Sequence, residues 1–159
     1  MDLKGSCYCK AVTFSLTSSS PVPYLATQQI TQRCFCSICR KTAGGGGYAI
    51  NLGASSDSLK IKGEGNITRY KPLGDKAGES RSFCKTCGSA LWNYDKRWPD
   101  LIHPFPSVID TELPVPPEFC DMMLGSKPAW VSLDKPCEEY DEYPNKSLDE
   151  WHKSHGFKY

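Results

Sequence analysis

The chain lacks most of the features that assign a protein to a class at sight. No apolar stretch approaches the roughly 20 residues of a membrane-crossing helix, and the opening Met-Asp-Leu-Lys-Gly is unlike a secretory leader. A soluble, cytoplasmic protein without a membrane partner is therefore expected. An excess of one charge is also missing: 19 Lys and Arg face 18 Asp and Glu, a formal net charge of +1 at pH 7, which leaves no basic footprint for nucleic acid. The Gly44 to Gly47 run is not followed by the Lys-Ser/Thr of a phosphate loop, which argues against nucleotide binding. It reads instead as a close backbone approach or a flexible turn. Histidine is scarce, with three residues, none at ligand spacing from a cysteine. There is no internal repeat and no sign of a domain boundary, so residues 1–159 are expected to form one domain.

Cysteine, by contrast, is plentiful. Seven of the nine fall into three tight groups, Cys7-x-Cys9, Cys34-x-Cys36-x-x-Cys39 and Cys84-x-x-Cys87. Two cysteines one or two residues apart can turn both sulfurs toward one centre, whereas a disulfide between them would close a small, strained ring. Zinc takes such pairs, binding thiolates at about 2.3 Å in a tetrahedron built from short pairs far apart in sequence. Seven thiolates fill one four-ligand site and leave three. Two zinc ions are therefore expected, one closed and structural, the second labile and with an open coordination position.

Other uses of the sulfurs fit less well. A disulfide framework sits poorly with an odd cysteine count. A redox Cys-x-x-Cys needs a strand-to-helix setting, and Cys84-Lys85-Thr86-Cys87-Gly88 lies between β-like runs. Cys120 and Cys137 stand alone and read as buried or incidental thiols. Zinc with four thiolates carries about −2 and with three about −1, so a doubly loaded chain would move from +1 to about −2, further from nucleic acid. Spacing leaves the ligand sets open. One set joins Cys36 and Cys39 with Cys84 and Cys87 as in a zinc ribbon, although the 44 residues between Cys39 and Cys84 far exceed a ribbon loop of about 15–20. Alternatively Cys7 and Cys9 join Cys84 and Cys87, leaving Cys34, Cys36 and Cys39 as a local three-thiolate group.

β signals dominate the rest. Val12, Phe14 and Leu16 alternate with polar neighbours, as do Tyr48, Ile50 and Leu52. Further strands are expected at 59–62, 67–70, 80–83, 90–94 and 129–133, separated by Gly, Pro, Asp and Ser clusters. This pattern predicts a mainly β fold, a small antiparallel sandwich or open barrel. Cys84 to Gly88 would be a hairpin turn with Gly88 at positive φ, flanked by Phe83 and Trp92 as core. Ser37 to Thr42 carries a helical signal and reads as a short turn, and Ser147-Leu148-Asp149-Glu150 is a capping box opening a C-terminal helix with Leu148 and Trp151. The stretch from Trp98 to Pro117, with six prolines, reads as an ordered but irregular loop.

Gly5-Ser6-Cys7-Tyr8-Cys9 before a strand, Cys34-Phe35-Cys36-Ser37-Ile38-Cys39-Arg40-Lys41, Phe83-Cys84-Lys85-Thr86-Cys87-Gly88-Ser89-Ala90-Leu91-Trp92 and Ser126-Lys127-Pro128-Ala129-Trp130 occur in that order. Together they resemble the glutathione-dependent formaldehyde-activating enzyme and centromere protein V family across nearly the whole chain. The resemblance implies an Mss-four-like zinc-binding β fold. It implies a structural zinc on Cys7, Cys9, Cys84 and Cys87 and a catalytic zinc on Cys34, Cys36 and Cys39. It also implies a carbon–sulfur lyase-type reaction that joins glutathione and formaldehyde into S-hydroxymethylglutathione. The position of Phe35 is often histidine in that family, so the side chain here signals either a drier pocket without that acid–base group or one that packs away from the metal.

Two functional classes remain. One is a zinc-dependent enzyme that makes or breaks a thiol adduct, with a small thiol such as glutathione as partner; the other is a non-catalytic zinc-stabilised module that binds a protein. Three thiolates make the second zinc a weak Lewis acid but a good host for a soft substrate thiolate. Arg40 and Lys41, after the metal loop, are candidates for holding a substrate carboxylate or form a solvated surface pair. His103, beside Pro104 and Phe105, is the candidate acid–base group, while His152 and His155 read as surface residues.

Overall fold

A computed structural model of the chain describes residues 1–18, 24–25, 30–74, 78–113, 115, 118–133 and 138–145. Outside these lie the expected terminal helix with Ser147, Leu148 and Trp151, both terminal histidines His152 and His155, Cys137, and Pro114, Pro116 and Pro117 of the proline-rich stretch. The fold is mainly β. In chain order the strands are β1 (Asp2–Ser6), β2 (Thr13–Thr17), β3 (Tyr24–Leu25), β4 (Ile30–Cys34), β5 (Ala49–Ile50), β6 (Ala54–Ser55), β7 (Lys60–Lys62), β8 (Ile67–Tyr70), β9 (Glu79–Cys84), β10 (Ala90–Asp95), β11 (Leu101–Pro104), β12 (Glu118–Met122) and β13 (Glu138–Glu139), with one α-helix, α1 (Ser37–Thr42), among the described residues. They divide into two compact units, Met1–Pro21 with Asn51–Leu113, and Val22–Ile50 with Pro114–Tyr159.

The first unit holds two open sheets, ordered β1-β2-β7 and β6-β11-β10-β9-β8. The alternation that predicts β2 places Phe14 and Leu16 inward beside Val12, and they share one core with Leu3, Leu52, Leu91, Trp92 and Ile102. Phe14 meets Trp92 edge to face at 5.1 Å, a geometry that aromatic quadrupoles favour. Gly5 is obligatory in β1, because a Cβ there would strike the Phe14 ring and lie 2.6 Å from the Val108 carbonyl oxygen. β9 and β10 form the expected hairpin around Cys84 to Gly88: Gly88 has φ +73° and its N–H donates to the Cys84 carbonyl at 2.8 Å. Trp92 is core, whereas Phe83 is only half-buried.

The second unit is built on β4, which pairs antiparallel with β3 and β5 and parallel with β12; β12 in turn pairs parallel with β13. Three expectations need correction. The strand predicted at 48–52 shrinks to β5, with Ala49 buried and Tyr48 half-buried. Residues 129–133 are not a strand: Pro128 starts a turn, closed by Val131 N–H to its carbonyl at 3.1 Å, and Trp130 is exposed. The proline-rich stretch is not all loop, since β11 crosses it and ends on Pro104. A proline at a strand's end gives up a donor that the ladder no longer needs, and its carbonyl still accepts Leu52 N–H at 3.0 Å.

Candidate metal centres

Each unit gathers one group of sulfurs. In the first, the Cys7 to Lys10 turn and the β9–β10 hairpin bring together Cys7, Cys9, Cys84 and Cys87, whose sulfurs all lie within 4.8 Å of one another. Cys7 Sγ is 3.6 Å from Cys9 Sγ, which is 3.8 Å from Cys84 Sγ. A tetrahedron with metal–sulfur bonds of about 2.3 Å has edges of about 3.8 Å, so the donor set fits a four-thiolate zinc. The eight described cysteines are all free of disulfides. This is the second of the two pairings that spacing left open.

The turn after β1 is braced from outside the sulfurs. Lys10, at φ +62°, donates from Nζ to Ser6 Oγ at 2.6 Å, and Ser6 Oγ donates to Asp110 Oδ2 at 2.5 Å. Val12 N–H donates to Cys7 Sγ at 3.2 Å. Ser89 links the two turns: its Oγ accepts Tyr8 N–H at 3.0 Å and lies 3.2 Å from Cys87 Sγ. Donation from that hydroxyl is the main reason the Cys87 thiol falls to about 5. Cys9 is pulled down by the Ala11 N–H, yet desolvation and the Cys7, Cys87 and Cys84 sulfurs hold it up at about 11. Four thiolates packed this closely repel one another, which is the electrostatic demand a metal answers.

In the second unit Cys34 ends β4, Cys36 caps α1 and Cys39 lies in its first turn, and their three sulfurs also converge within 4.8 Å. Cys36 Sγ accepts Cys39 N–H at 3.3 Å, so a sulfur takes the place usually held by a Ser or Asp oxygen. Hydrogen bonds from the Cys34 and Cys39 thiols, reinforced by backbone N–H groups, pull Cys36 down to about 2. The same bond to Cys36, with Cys39 and burial, pushes Cys34 up. Three thiolates packed this closely repel one another, a demand that a cation would answer. No fourth His, Cys, Asp or Glu joins these three among the described residues. The donors suit a soft ion such as zinc, with one tetrahedral position left over.

Phe35, between Cys34 and Cys36, is fully buried and packs on Tyr48 at 5.3 Å. Of its two readings, packing is what the geometry shows. Within the Gly44 to Gly47 run two glycines are required: a Cβ on Gly44 would strike the Tyr48 carbonyl, and Gly47, at φ +88°, lies against Val131 and Trp130. Arg40 is half-buried in α1, and its Nε has no hydrogen-bond partner among the described residues; Lys41 is exposed. His103 belongs to neither sulfur group. It sits on β11 with Nδ1 3.0 Å from the Leu52 carbonyl, and desolvation lowers its pKa. Cys120 is buried in β12 and also belongs to neither group.

Sequence reasoning missed Ser89, although its place right after the Cys84-x-x-Cys87-Gly88 turn was a usable signal. It also missed the ion pair of Arg33 with Asp121 beside Cys34. Arg33 sits next to Cys34, but nothing in the sequence points to Asp121, 88 residues away.

The family model described as glutathione-dependent formaldehyde-activating enzyme matches residues 2–122, which contain both sulfur groups. The chain belongs to this family. It is 46% identical to a protein of Halomonas elongata that provisionally bears the name glutathione-dependent formaldehyde-activating enzyme, with 99% of each chain covered. It is also similar to a Rhodobacter sphaeroides protein of known crystal structure, at 26% identity and a TM-score of 0.52, covering 70% of this chain and 91% of that one. The family name speaks of glutathione and formaldehyde; no described helix is long and apolar enough to cross a membrane.

Proposed function

We propose that this chain, as a formaldehyde-activating family member, makes and breaks the carbon–sulfur bond of a thiol adduct, with glutathione as the thiol and formaldehyde or a similar small carbonyl as the electrophile. The observation that carries this reading is the donor set of Cys34, Cys36 and Cys39, which no fourth His, Cys, Asp or Glu completes among the described residues. A purely structural ion gains from a fourth protein ligand, as the group in the first unit has; three sulfurs reserve a position for something from solution. Zinc there would hold a soft substrate sulfur as thiolate near neutral pH and leave it nucleophilic.

The reaction is a plain addition. The sulfur forms a bond to the carbonyl carbon, the C=O π pair moves to oxygen, and that oxygen takes up a proton; the reverse is a carbon–sulfur lyase step with no redox change. The chain's own contribution is to position and exclude. Cys34, Cys36 and Cys39 fix the reaction centre, and Phe35 between the first two is buried against Tyr48. Arg40, one residue after Cys39 and with no hydrogen-bond partner for its Nε among the described residues, is assigned to a substrate carboxylate, for which its planar fork is suited. His103, in the first unit and outside both sulfur groups, is given no step in this reaction.

Exchange spectroscopy on ¹³C-formaldehyde with glutathione tests the proposal, since it reads S-hydroxymethylglutathione formation above the spontaneous rate. Native protein should accelerate exchange and contain about two zinc ions per chain, and Cys36→Ser should abolish the acceleration while remaining folded. No acceleration by zinc-loaded native protein, or one zinc per chain, would sink the reading.

A further inference from the structure

β4 and β12 run parallel, and residues paired across them, such as Arg33 and Asp121, lie 88 positions apart in sequence. No hairpin turn sets their register, and parallel pairing is the weaker kind per residue. Yet register decides where Cys34 goes. Cys34 lies opposite Met122, whose carbonyl takes the Phe35 N–H at 3.0 Å. Cys36 and Cys39, by contrast, are held locally by the cap of α1. A slip of two residues, the smallest that keeps every side chain on its own face, would carry Cys34 about 6.6 Å along the strand and out of the group.

One step before Cys34, Arg33 stands directly opposite Asp121. Its Nε and Nη2 donate at 2.6 Å to the two carboxylate oxygens, and Asp121 is fully buried. The guanidinium lies over the Phe119 ring at 4.6 Å and near the Tyr48 ring at 5.3 Å. Strand alternation turns Arg33 to the face opposite Cys34, so it is neither a ligand nor a neighbour of the sulfurs on that face. A buried pair of this kind adds little net stability, because desolvation offsets most of the attraction. It penalises wrong registers instead, since any slip leaves the buried Asp121 carboxylate and the half-buried Arg33 guanidinium uncompensated.

We infer that Arg33 and Asp121 are a register lock, a pair of positioning residues that bring Cys34 to Cys36 and Cys39. The inference deepens the functional reading above, and only its metal readout rests on that reading. The test uses full-length native protein, Asp121→Asn and Arg33→Lys, each held well below its melting temperature. A pulse of iodoacetamide followed by mass-spectrometric peptide mapping gives a labelling rate for each cysteine.

Asp121→Asn should label Cys34 about tenfold faster than native protein and Arg33→Lys about threefold faster, while Cys7 and Cys84 stay protected and zinc falls toward one per chain. A merely structural pair would lower the melting temperature and leave Cys34 as protected as Cys84, which overturns the lock. If Asp121→Asn unfolds and all its cysteines react alike, Arg33→Lys decides: folded, with Cys34 at the native rate, it overturns the lock. Unfolding of both variants makes the pair a stability element and overturns it too. One zinc in native protein defeats the functional reading, while the contrast between Cys34 and Cys84 still decides the lock.

Discussion

Gly88 and His103 show how single residues report on the two kinds of order in the first unit. Gly88 holds φ +73° in the metal turn with open space where a Cβ would go, so a side chain there costs backbone conformation alone. Gly88→Ala should lower stability by about 1–2 kcal/mol, and Gly88→Asn by less, since Asn tolerates the left-handed region better. Urea unfolding with zinc present measures both, and equal losses would show that the turn relaxes. His103 reports on charge. Burial is the main cause of its lowered pKa, with Arg81 adding to it; the Leu52 carbonyl and Asp95 act in the opposite direction. The unfolded chain therefore binds more protons at this position once pH falls to about 6.5, and its contribution to stability is lost below that value. Between about pH 7.5 and 5.5 the urea midpoint of native protein should fall more steeply than that of His103→Gln. Parallel curves would remove His103 as the source.

At the scale of elements, α1 separates two jobs done by one atom. Cys36 Sγ caps the helix and belongs to the three-sulfur group. Serine is the better cap and the poorer soft ligand, so Cys36→Ser should match, within about 0.5 kcal/mol, the stability of native protein carrying one zinc per chain, and should fail to take up a second. A loss above about 2 kcal/mol at one zinc per chain would show that the sulfur serves packing more than capping. Such locally built elements were legible in the sequence. The Cys84 to Gly88 hairpin, α1 and β2 each follow from neighbours within a few residues: a glycine at a turn, cysteines at ligand spacing, an alternation. β4 was not legible, because Ile30-Thr31-Gln32-Arg33-Cys34 earns its strand from partners that include Glu118–Met122 and carries a charge in mid-strand. β11 was hidden by prolines that turn out to precede the strand, end it or follow it. The terminal stretch of the 129–133 run looked like a strand because alternation is counted without seeing the turn that Pro128 starts.

At the scale of the molecule, the four-sulfur group has a task that no single element can do. The first unit is assembled from two stretches of chain separated by residues of the second. Cys7 and Cys9 come from the first stretch, Cys84 and Cys87 from the other, so an ion there ties the stretches together at the edge of the core that includes Cys7 and Cys84. Structural zinc binds thiolate sites with apparent free energies of about 10–16 kcal/mol, as large as the whole stability of a typical domain, about 5–15 kcal/mol. Losing it should unfold the first unit rather than loosen it. Trp92, buried and packed edge to face on Phe14, reports the state of that core in near-ultraviolet circular dichroism. Cys84→Ser, or native protein stripped by a strong chelator, should lose the Trp92 signal, whereas Cys36→Ser, deprived only of the ion in the second unit, should keep it. A Trp92 signal that survives in Cys84→Ser would mean that the apolar core alone holds the two stretches together, and the division between a metal that folds and a metal that reacts would fall with it.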